Sequence, residues 1–334
     1  MGLLTAEGDA KAGFRFPAPL LGLFTGECRM TRVLVAGLIN IETTLRVEGF
    51  PIAYQPVRFP FGDVNSTASG VGYNIAKALT VLGDEVRFLA LLGQDGLGQL
   101  ALQSLAAEGI PTQYVLPTLA QTPQSVILYD GSGRRAIHVD LKDIQEREYP
   151  PAEFEAALEG CELAALCNIN FARPFLAAVK ARGIPIATDV HTIADLEDAY
   201  NRDYMAAADI LFMSDEALPM APEAWARRIL ERYGPKIVVI GLGRDGALLA
   251  ERRPEAMVRL PAVFTRPVVN SIGAGDALFT AFIHFYARER RAWDALRKAM
   301  VFASYKIGEK GAAQGFLTEP ELLKWCRVAG MESV

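Results

Sequence analysis

The chain has 334 residues, 51% of them hydrophobic, which is enough to bury a large core in one large or two unequal units. Its formal net charge of −5 at pH 7 argues against a nucleic-acid-binding surface, since such a surface needs a basic face. No run of about 18 apolar residues is present and the four cysteines have no paired spacing, so we expect a cytoplasmic protein with reduced thiols and no membrane-spanning helix.

The first 31 residues differ in character from the rest of the chain, because they mix small residues with Pro17 and Pro19. Their short apolar run lacks the length and the cleavage site of a secretory signal, so residues 1–31 are interpreted as an N-terminal extension without an assigned role. From residue 32 to about residue 330, apolar strands alternate with amphipathic helices. This alternation predicts one domain with a parallel sheet covered by helices on both faces.

The predicted strands share short apolar runs and cover 32–38, 86–92, 163–168, 184–189, 209–213, 236–241 and 262–269. The predicted helices share apolar residues at helical spacing and cover 72–82, 97–108, 151–158, 172–182, 221–233, 273–288 and 292–306. Two stretches, 43–60 and 123–140, interrupt the alternation, and the second has the pattern of a hairpin. Arg134 and Arg135 at the hairpin tip are typical of a solvated turn, although such a pair could also clamp a phosphate or a carboxylate.

Glycine-rich turns open two of these helices, one early and one late in the domain. Residues 69–74 read Ser-Gly-Val-Gly-Tyr-Asn, and residues 270–276 read Asn-Ser-Ile-Gly-Ala-Gly-Asp. The unpaired N–H groups and the positive dipole end of a helix N-terminus attract anions, and small side chains let a phosphate approach closely. The backbone of Gly273, Ala274 and Gly275 is therefore a candidate anion hole.

Asp276 lies in the first turn of the later helix, beside this candidate anion hole. A carboxylate there could take the proton of a hydroxyl group that attacks a phosphorus atom, as a general base does in phosphoryl transfer. Acidic residues in first turns also stabilise helix dipoles, so a purely structural role is the alternative. The glycine-rich turn far upstream favours the catalytic interpretation, because it suggests the second half of one site.

Residues 241–246 read Gly-Leu-Gly-Arg-Asp-Gly and match the GxGxxG fingerprint of dinucleotide-binding enzymes. That fingerprint requires a following helix that receives the pyrophosphate. Residues 247–254 form instead a short apolar run stopped by charges and a proline, which is more typical of a strand. A dehydrogenase is therefore disfavoured.

Together these motifs resemble those of the ribokinase, or PfkB, family of carbohydrate kinases. Members of that family have an early Gly-Gly-x-Gly-x-Asn helix start and a late Asp-Thr-x-Gly-Ala-Gly-Asp signature, which residues 69–74 and 270–276 match with three departures. Further family elements are matched in the same order at 33–42, 92–98, 240–247 and 311–313. The resemblance covers roughly residues 32–325.

The resemblance implies a three-layer α/β/α fold with a mostly parallel central sheet and a small β-lid formed by about 43–60 and 123–140. It implies an ATP-dependent kinase that phosphorylates a hydroxyl or hydroxymethyl group of a sugar or nucleoside, with Asp276 as the general base and residues 273–275 as the anion hole. In the family the lid closes over the sugar and often pairs with the lid of a second subunit. A homodimer is therefore a further expectation.

The resemblance also assigns binding roles. Substrate hydroxyl groups would be bound by Asn40, Glu42, Gly70 and Asn74. The nucleotide would be bound by Gly241, Gly243, Gly246 and Ser304. Mg²⁺ would bridge the ATP phosphates, with Glu216 as the metal-binding residue, because residues 213–217 are a degenerate match to the family's Asn-x-x-Glu element.

Departures from the family pattern affect these expectations. Asn270 replaces an Asp that in the family helps to build a monovalent-cation site, so we expect little response to K⁺. Glu42 is one methylene longer than the usual Asp, which alters the spacing of the sugar pocket. The variable position of the early turn is Val71 rather than a lysine, which favours an uncharged substrate. Sugar and nucleoside both remain open, and a non-catalytic sugar- or nucleoside-binding sensor is the alternative function.

Overall fold

The structure, a computed structural model, describes residues 30–331. The extension predicted over 1–31 therefore lies outside the described residues, apart from Met30 and Thr31. The strands are β1 (Arg32–Ala36), β2 (Asn40–Arg46), β3 (Val64–Ser69), β4 (Glu85–Gly93), β5 (Val115–Leu119), β6 (Gln124–Tyr129), β7 (Arg135–Asp140), β8 (Leu163–Leu166), β9 (Ile186–Thr192), β10 (Ile210–Ser214), β11 (Ile237–Gly241), β12 (Ala247–Arg252) and β13 (Glu255–Leu260). The helices are α1 (Val71–Leu82), α2 (Gly96–Ala107), α3 (Pro151–Leu158), α4 (Phe175–Ala181), α5 (Arg202–Ala207), α6 (Pro222–Arg232), α7 (Ala274–Glu289), α8 (Ala292–Lys306) and α9 (Glu319–Val328).

A nine-stranded sheet in the order β13-β12-β11-β10-β9-β8-β1-β4-β5 forms the centre of the domain. Its strands are parallel from β11 to β5, and β12 and β13 extend it in antiparallel pairing. The strands are apolar throughout because helices cover both faces. Along β1, Val33 and Val35 pack in a core with α1, α7 and α8, whereas Leu34 and Ala36 pack in a core with α3 to α6. The predicted three-layer α/β/α architecture is confirmed.

A second, four-stranded sheet has the order β3-β2-β6-β7 and corresponds to the expected small β-lid, so it is called the lid sheet below. Strands β6 and β7 are the hairpin predicted within 123–140. The other predicted lid segment, 43–60, contains only the end of β2 and an irregular stretch, because β2 begins at Asn40 and its antiparallel partner is β3. The mostly polar sequence of β3 gave no strand signal, since it has no alternation of apolar and polar residues.

The strand predicted over 262–269 is wrong. This segment is irregular in the structure, and Phe264, Val268 and Val269 are exposed. It lies between Pro261 and the glycine-rich turn, and the edge of the sheet is already formed by β13. Strands β5 and β13 and helices α5 and α9 were not predicted, although Thr318 forms a capping box that begins α9. Within the described part of the chain, no helix is long and apolar enough to cross a membrane.

Candidate active site

The glycine-rich turn before α7 is shaped by two glycines with different requirements. Gly273 has a φ of 73°, in the left-handed region that favours glycine, and a Cβ on it would lie 2.6 Å from the carbonyl oxygen of Ala312. At Gly275 a Cβ would have only Asp189 Oδ2 within 4 Å, at 3.9 Å. Residues 273–275, hereafter the anion turn, therefore present the N-terminus of α7 to open space.

Asp276, in the first turn of α7, is bonded to the early glycine-rich helix. The Asn74 side chain on α1 donates through Nδ2 to Asp276 Oδ2 at 2.6 Å. Burial raises the pKa of the Asp276 carboxyl above its ordinary value, and the hydrogen bond from Asn74 opposes part of that rise. Two motifs 202 residues apart in sequence meet at this bond, beside the anion turn.

Polar side chains line the inner face of the lid sheet. Ser69 Oγ donates to Glu42 Oε2 at 3.0 Å, and Asn40 Nδ2 donates to Ser125 Oγ at 3.1 Å. Burial raises the pKa of Glu42, against the hydrogen bond from Ser69. Glu42 Oε1 and Asn40 Oδ1 are buried acceptors with no hydrogen-bond partner among residues 30–331. Buried acceptors of this kind need donors, and the hydroxyl groups of a bound molecule would supply them.

Ser69 also connects this inner face to Asp276. Its Oγ lies 3.4 Å from Asn74 Oδ1, and Asn74 is bonded in turn to Asp276. Glu42, Ser69, Asn74 and Asp276 thus form a continuous polar row, hereafter the polar row. Ser69, one of the departures from the family pattern, supplies the hydroxyl that joins its two halves.

One cavity of about 700 Å³ contains all the predicted site residues. Its walls include Asn40, Glu42, Gly70, Asn74, Glu216, Gly241, Gly243, Gly246, Gly273, Ala274, Gly275, Asp276 and Ser304. The hydroxyl of Ser304 accepts a hydrogen bond from the backbone N–H of Thr265 at 3.0 Å. Ser304 therefore anchors the irregular segment 261–270 to α8 in addition to lining the cavity.

The lid hairpin contributes one arginine to the cavity. Arg135 of β7 donates through Nη1 to Ser271 Oγ at 2.6 Å, and its Nη2 lies 3.4 Å from Glu216 Oε1. Arg134 pairs instead with Asp130 inside the hairpin, at 2.8 Å. Of the two arginines, only Arg135 has the position of an anion clamp.

Comparison with known proteins identifies the family. The model of the pfkB family of carbohydrate kinases matches residues 30–319. The chain belongs to the PfkB family. This PfkB protein is 26% identical to acarbose 7(IV)-phosphotransferase of Actinoplanes sp. over 296 residues, which cover 88% of this chain and 98% of the relative. It is 28% identical to the ATP-dependent ribose-1-phosphate kinase of Halopiger xanaduensis over 287 residues, which cover 85% and 94% of the two chains.

Among solved structures, that of the microbiome-derived acarbose kinase Mak1 matches this PfkB protein with a TM-score of 0.80 at 24% identity, over 90% of this chain and 99% of the other. Membership of the family makes the protein a carbohydrate or nucleoside kinase and implies ATP as the phosphoryl donor. The GxGxxG match at 241–246 has no dinucleotide-binding context, because Gly246 leads into strand β12 and not into a helix.

The carboxylates of this PfkB kinase fit Mg²⁺ only in combination with phosphate. No group of three or more His, Cys, Asp or Glu side chains within residues 30–331 is arranged to hold a metal ion. Glu216 is exposed at the cavity wall, where its carboxylate would be one ligand of an ion bound mainly by phosphate and water oxygens. Mg²⁺ favours that kind of mixed coordination.

Two cavity-region residues of the kinase were missed in the sequence. Lys306 is the last residue of α8 and is fully buried. Its ammonium group donates a hydrogen bond to the carbonyl oxygen of Ile272. Burial lowers the pKa of Lys306 to about 8, and the Asp276 and Glu42 carboxylates oppose that shift. The available signal was a lysine one helical turn after the buried Phe302.

His191 is the second missed residue, since it has no nearby residue in the sequence at a spacing typical of a metal site or a catalytic triad. It lines the cavity at the end of β9 with a φ of 60°, which is uncommon for a residue with a side chain. Its backbone N–H donates to Asp189 Oδ1 at 2.8 Å, and its ring Nδ1 lies 3.9 Å from the same oxygen. Asp189 therefore determines the local conformation of this part of the cavity wall.

Proposed function

We propose that this PfkB kinase transfers the γ-phosphoryl group of ATP to a hydroxyl group of an uncharged sugar or nucleoside, with Asp276 as the general base. The observation that carries the proposal is the 2.6 Å bond between Asn74 and Asp276 in the cavity that also contains the anion turn. That bond joins the substrate-binding and phosphate-binding motifs at one carboxylate. A binding protein without turnover would have no need of such a carboxylate beside a phosphate site.

The reaction follows from the positions of these groups. Glu42 and Asn40 accept hydrogen bonds from hydroxyl groups of the acceptor and orient it. Asp276 takes the proton of the reacting hydroxyl as its oxygen bonds to the γ-phosphorus, and the bond from that phosphorus to the ADP oxygen breaks. Backbone N–H groups of the anion turn bind the charge that develops on the phosphoryl oxygens. Mg²⁺, held by the ATP phosphates and Glu216, would neutralise phosphate charge.

The nucleotide would lie along the loop after β11. Gly241, Gly243 and Gly246 line that end of the cavity, where the absence of side chains leaves room for a bound base and ribose. Ser304 lies on the same side and holds segment 261–270 in place through Thr265. Both predicted halves of the site therefore open into one space, as transfer between two bound substrates requires.

An uncharged acceptor is favoured by the charges around Glu42. Of the described residues that line the cavity, the arginines are Arg135 and Arg244, and no lysine lines it. Arg135 is bonded to Ser271 and lies near Glu216, and Arg244 lies in the nucleotide loop, so neither arginine is bonded to the lid residues around Glu42. Ile137 and Val139 of the lid add an apolar wall, which suits a sugar ring face or a nucleoside base.

A coupled ADP-release assay tests the proposed activity. The acceptors to compare are ribose, fructose, acarbose, adenosine, inosine, pseudouridine and ribose 1-phosphate, each with ATP and Mg²⁺. We expect acceptor-dependent ADP production with an uncharged compound. A compound that raises the thermal unfolding midpoint without any ADP release would identify a sensor instead, and a strict preference for ribose 1-phosphate would contradict the uncharged class.

Replacing Ser69 with Ala should weaken acceptor binding. The change removes the donor to Glu42 Oε2 and breaks the polar row, so we expect KM for the acceptor to rise by about 2- to 10-fold, as expected for one hydrogen bond. Ser66→Ala on the same strand is the matched control, since Ser66 Oγ contacts Thr43 Oγ1 at an exposed position. Equal KM values for the Ser69→Ala and wild-type enzymes would exclude a role for this hydroxyl.

A homodimer formed through the lid is part of the proposal. Tyr54 and Phe61, in the segment between β2 and β3, are 92% and 89% exposed, and Phe61 stacks on Phe59. Large apolar side chains at such exposure are typical of an interface. Sedimentation velocity should give a dimer, and Phe59→Ser with Phe61→Ser should shift it to monomer, whereas the exposed Val328→Ser on α9 should not. A monomeric wild-type protein would refute the dimer.

A further inference from the structure

The oxygen atoms behind the anion turn are already bonded to N–H donors. Asn270 Oδ1 accepts from the backbone N–H of Ile272 at 3.0 Å, and Asn270 Nδ2 donates to the carbonyl of Lys310 at 2.9 Å. A backbone N–H can only donate and a carbonyl can only accept, so the orientation of this amide is determined. The carbonyl of Ile272 accepts in turn from the Lys306 ammonium group.

A monovalent metal ion does not fit this arrangement. An ion such as K⁺ is bound by several carbonyl-type oxygens that replace its hydration shell. Here Asn270 Oδ1, the Ile272 carbonyl and the Lys310 carbonyl each have a nitrogen donor, and Asn270 adds no negative charge. Lys306 supplies a positive charge behind the anion turn, where its ammonium group is bonded to the Ile272 carbonyl.

The environment of Lys306 is unusual for a charged side chain. Its side chain is fully buried, does not line the cavity, and has no ion-pair partner within 4 Å among residues 30–331. The Asp276, Glu42 and Glu309 carboxylates favour its charged form from a distance, whereas Arg266 opposes it. A buried ammonium group without a paired carboxylate is costly, so its retention needs a reason beyond packing.

We infer that Lys306 is a built-in cation that supports the anion turn in place of a monovalent metal ion. Its ammonium group fixes the carbonyl of Ile272, the residue directly before Gly273, and so orients the backbone of the turn. Its charge also interacts with the Asp276 carboxylate, although the two groups form no ion pair within 4 Å. Lys306 is therefore a positioning residue, and the inference rests on the proposed kinase function, which it deepens.

Cation exchange and substitution test the inference. For the wild-type enzyme, replacing NaCl with KCl, NH₄Cl or tetramethylammonium chloride at fixed ionic strength should change kcat by less than about 2-fold. Lys306→Met should lower kcat by about 10-fold or more, because the turn loses its supporting charge. Lys306→Ala leaves space for an ion, and K⁺ or NH₄⁺ should restore part of its kcat in a saturable way, more strongly when combined with Asn270→Asp.

The matched control is Lys298→Met, which removes another buried lysine from α8. Lys298 pairs with Glu289 at 2.5 Å and does not line the cavity, so its loss should affect stability without creating a K⁺ response. A second readout is the thermal unfolding midpoint. K⁺ should raise it for Lys306→Ala at fixed ionic strength, but not for wild type or Lys298→Met, since an ion that binds only the folded state stabilises it.

Several outcomes would overturn the inference. A saturable activation of the wild-type enzyme by K⁺ would show that Lys306 does not replace the ion, and this experiment needs no variant to fold. A folded Lys306→Met enzyme with unchanged kcat would also overturn the inference. So would a Lys306→Ala protein in which K⁺ neither restores kcat nor raises the thermal unfolding midpoint. If no acceptor is phosphorylated, the kinase proposal fails, while the K⁺-dependent stabilisation of Lys306→Ala still decides the inference.

Discussion

The Asp276→Asn enzyme is expected to have a kcat lower than that of the wild type by about 10²–10⁴ while its KM for the acceptor changes little. Asparagine keeps the size of the side chain and can still bond to Asn74, but it cannot take the proton of the acceptor hydroxyl. Initial rates with the acceptor identified by the ADP-release assay provide the measurement. A variant with more than about a tenth of the wild-type kcat, when chemistry limits the rate, would remove Asp276 from the role of base.

The pH dependence gives a second check on the same residue. Burial raises the pKa of Asp276, and a base is active in its deprotonated form, so wild-type kcat/KM should rise with pH through a midpoint above the ordinary value of 3.8. The Asn variant should lack this acidic limb. Asp140→Asn, at an exposed lid position bonded to Lys142, is the matched control and should keep the wild-type profile.

Replacing Gly275 with Val should abolish activity while the fold survives. The glycine has no left-handed φ, and a Cβ would meet only Asp189 Oδ2 at 3.9 Å, so the side chain is accommodated by the protein but projects where a phosphate must approach. Loss of the backbone contacts in the anion turn should lower kcat by about 10³-fold or more. ADP release and the thermal unfolding midpoint, measured together, separate activity from stability.

Gly96→Val is the control for this prediction. Gly96 is the first residue of α2, also has no left-handed φ, and has no atom within 4 Å of its Cβ position. Both variants add the same side chain to the first turn of a helix, but only one faces the cavity. Equal activity in the two variants would mean that phosphate does not bind at the anion turn.

The parts of the fold that were predictable are those with strong local signals. The start of α7 and the start of α1 were read from small residues followed by helical periodicity, and the structure has α7 at Ala274–Glu289 and α1 at Val71–Leu82. The buried parallel strands were predicted because a continuous apolar run can be recognised in the sequence without knowing which strands pair with it. The presence of Asp276 and Asn74 in one cavity followed from the family resemblance.

The parts that were not predictable depend on contacts distant in sequence. Strand β3 has no apolar alternation and exists because β2 pairs with it. The apolar run 262–269 forms no strand because β13 already occupies the edge of the sheet. The left-handed residue of the anion turn is Gly273, whose need for glycine comes from the carbonyl of Ala312, 39 residues later in the chain. Local pattern contains none of this information.

The polar row has a consequence for the fidelity of the reaction. Its lid end, Glu42, has an oxygen without a partner, and so does the neighbouring Asn40. A compound with several hydroxyl groups offers donors for both oxygens as well as a hydroxyl for Asp276, and unpaired buried acceptors are unfavourable. On the proposed mechanism, the arrangement is complete only when a polyhydroxyl compound is bound, and we expect little hydrolysis of ATP without an acceptor.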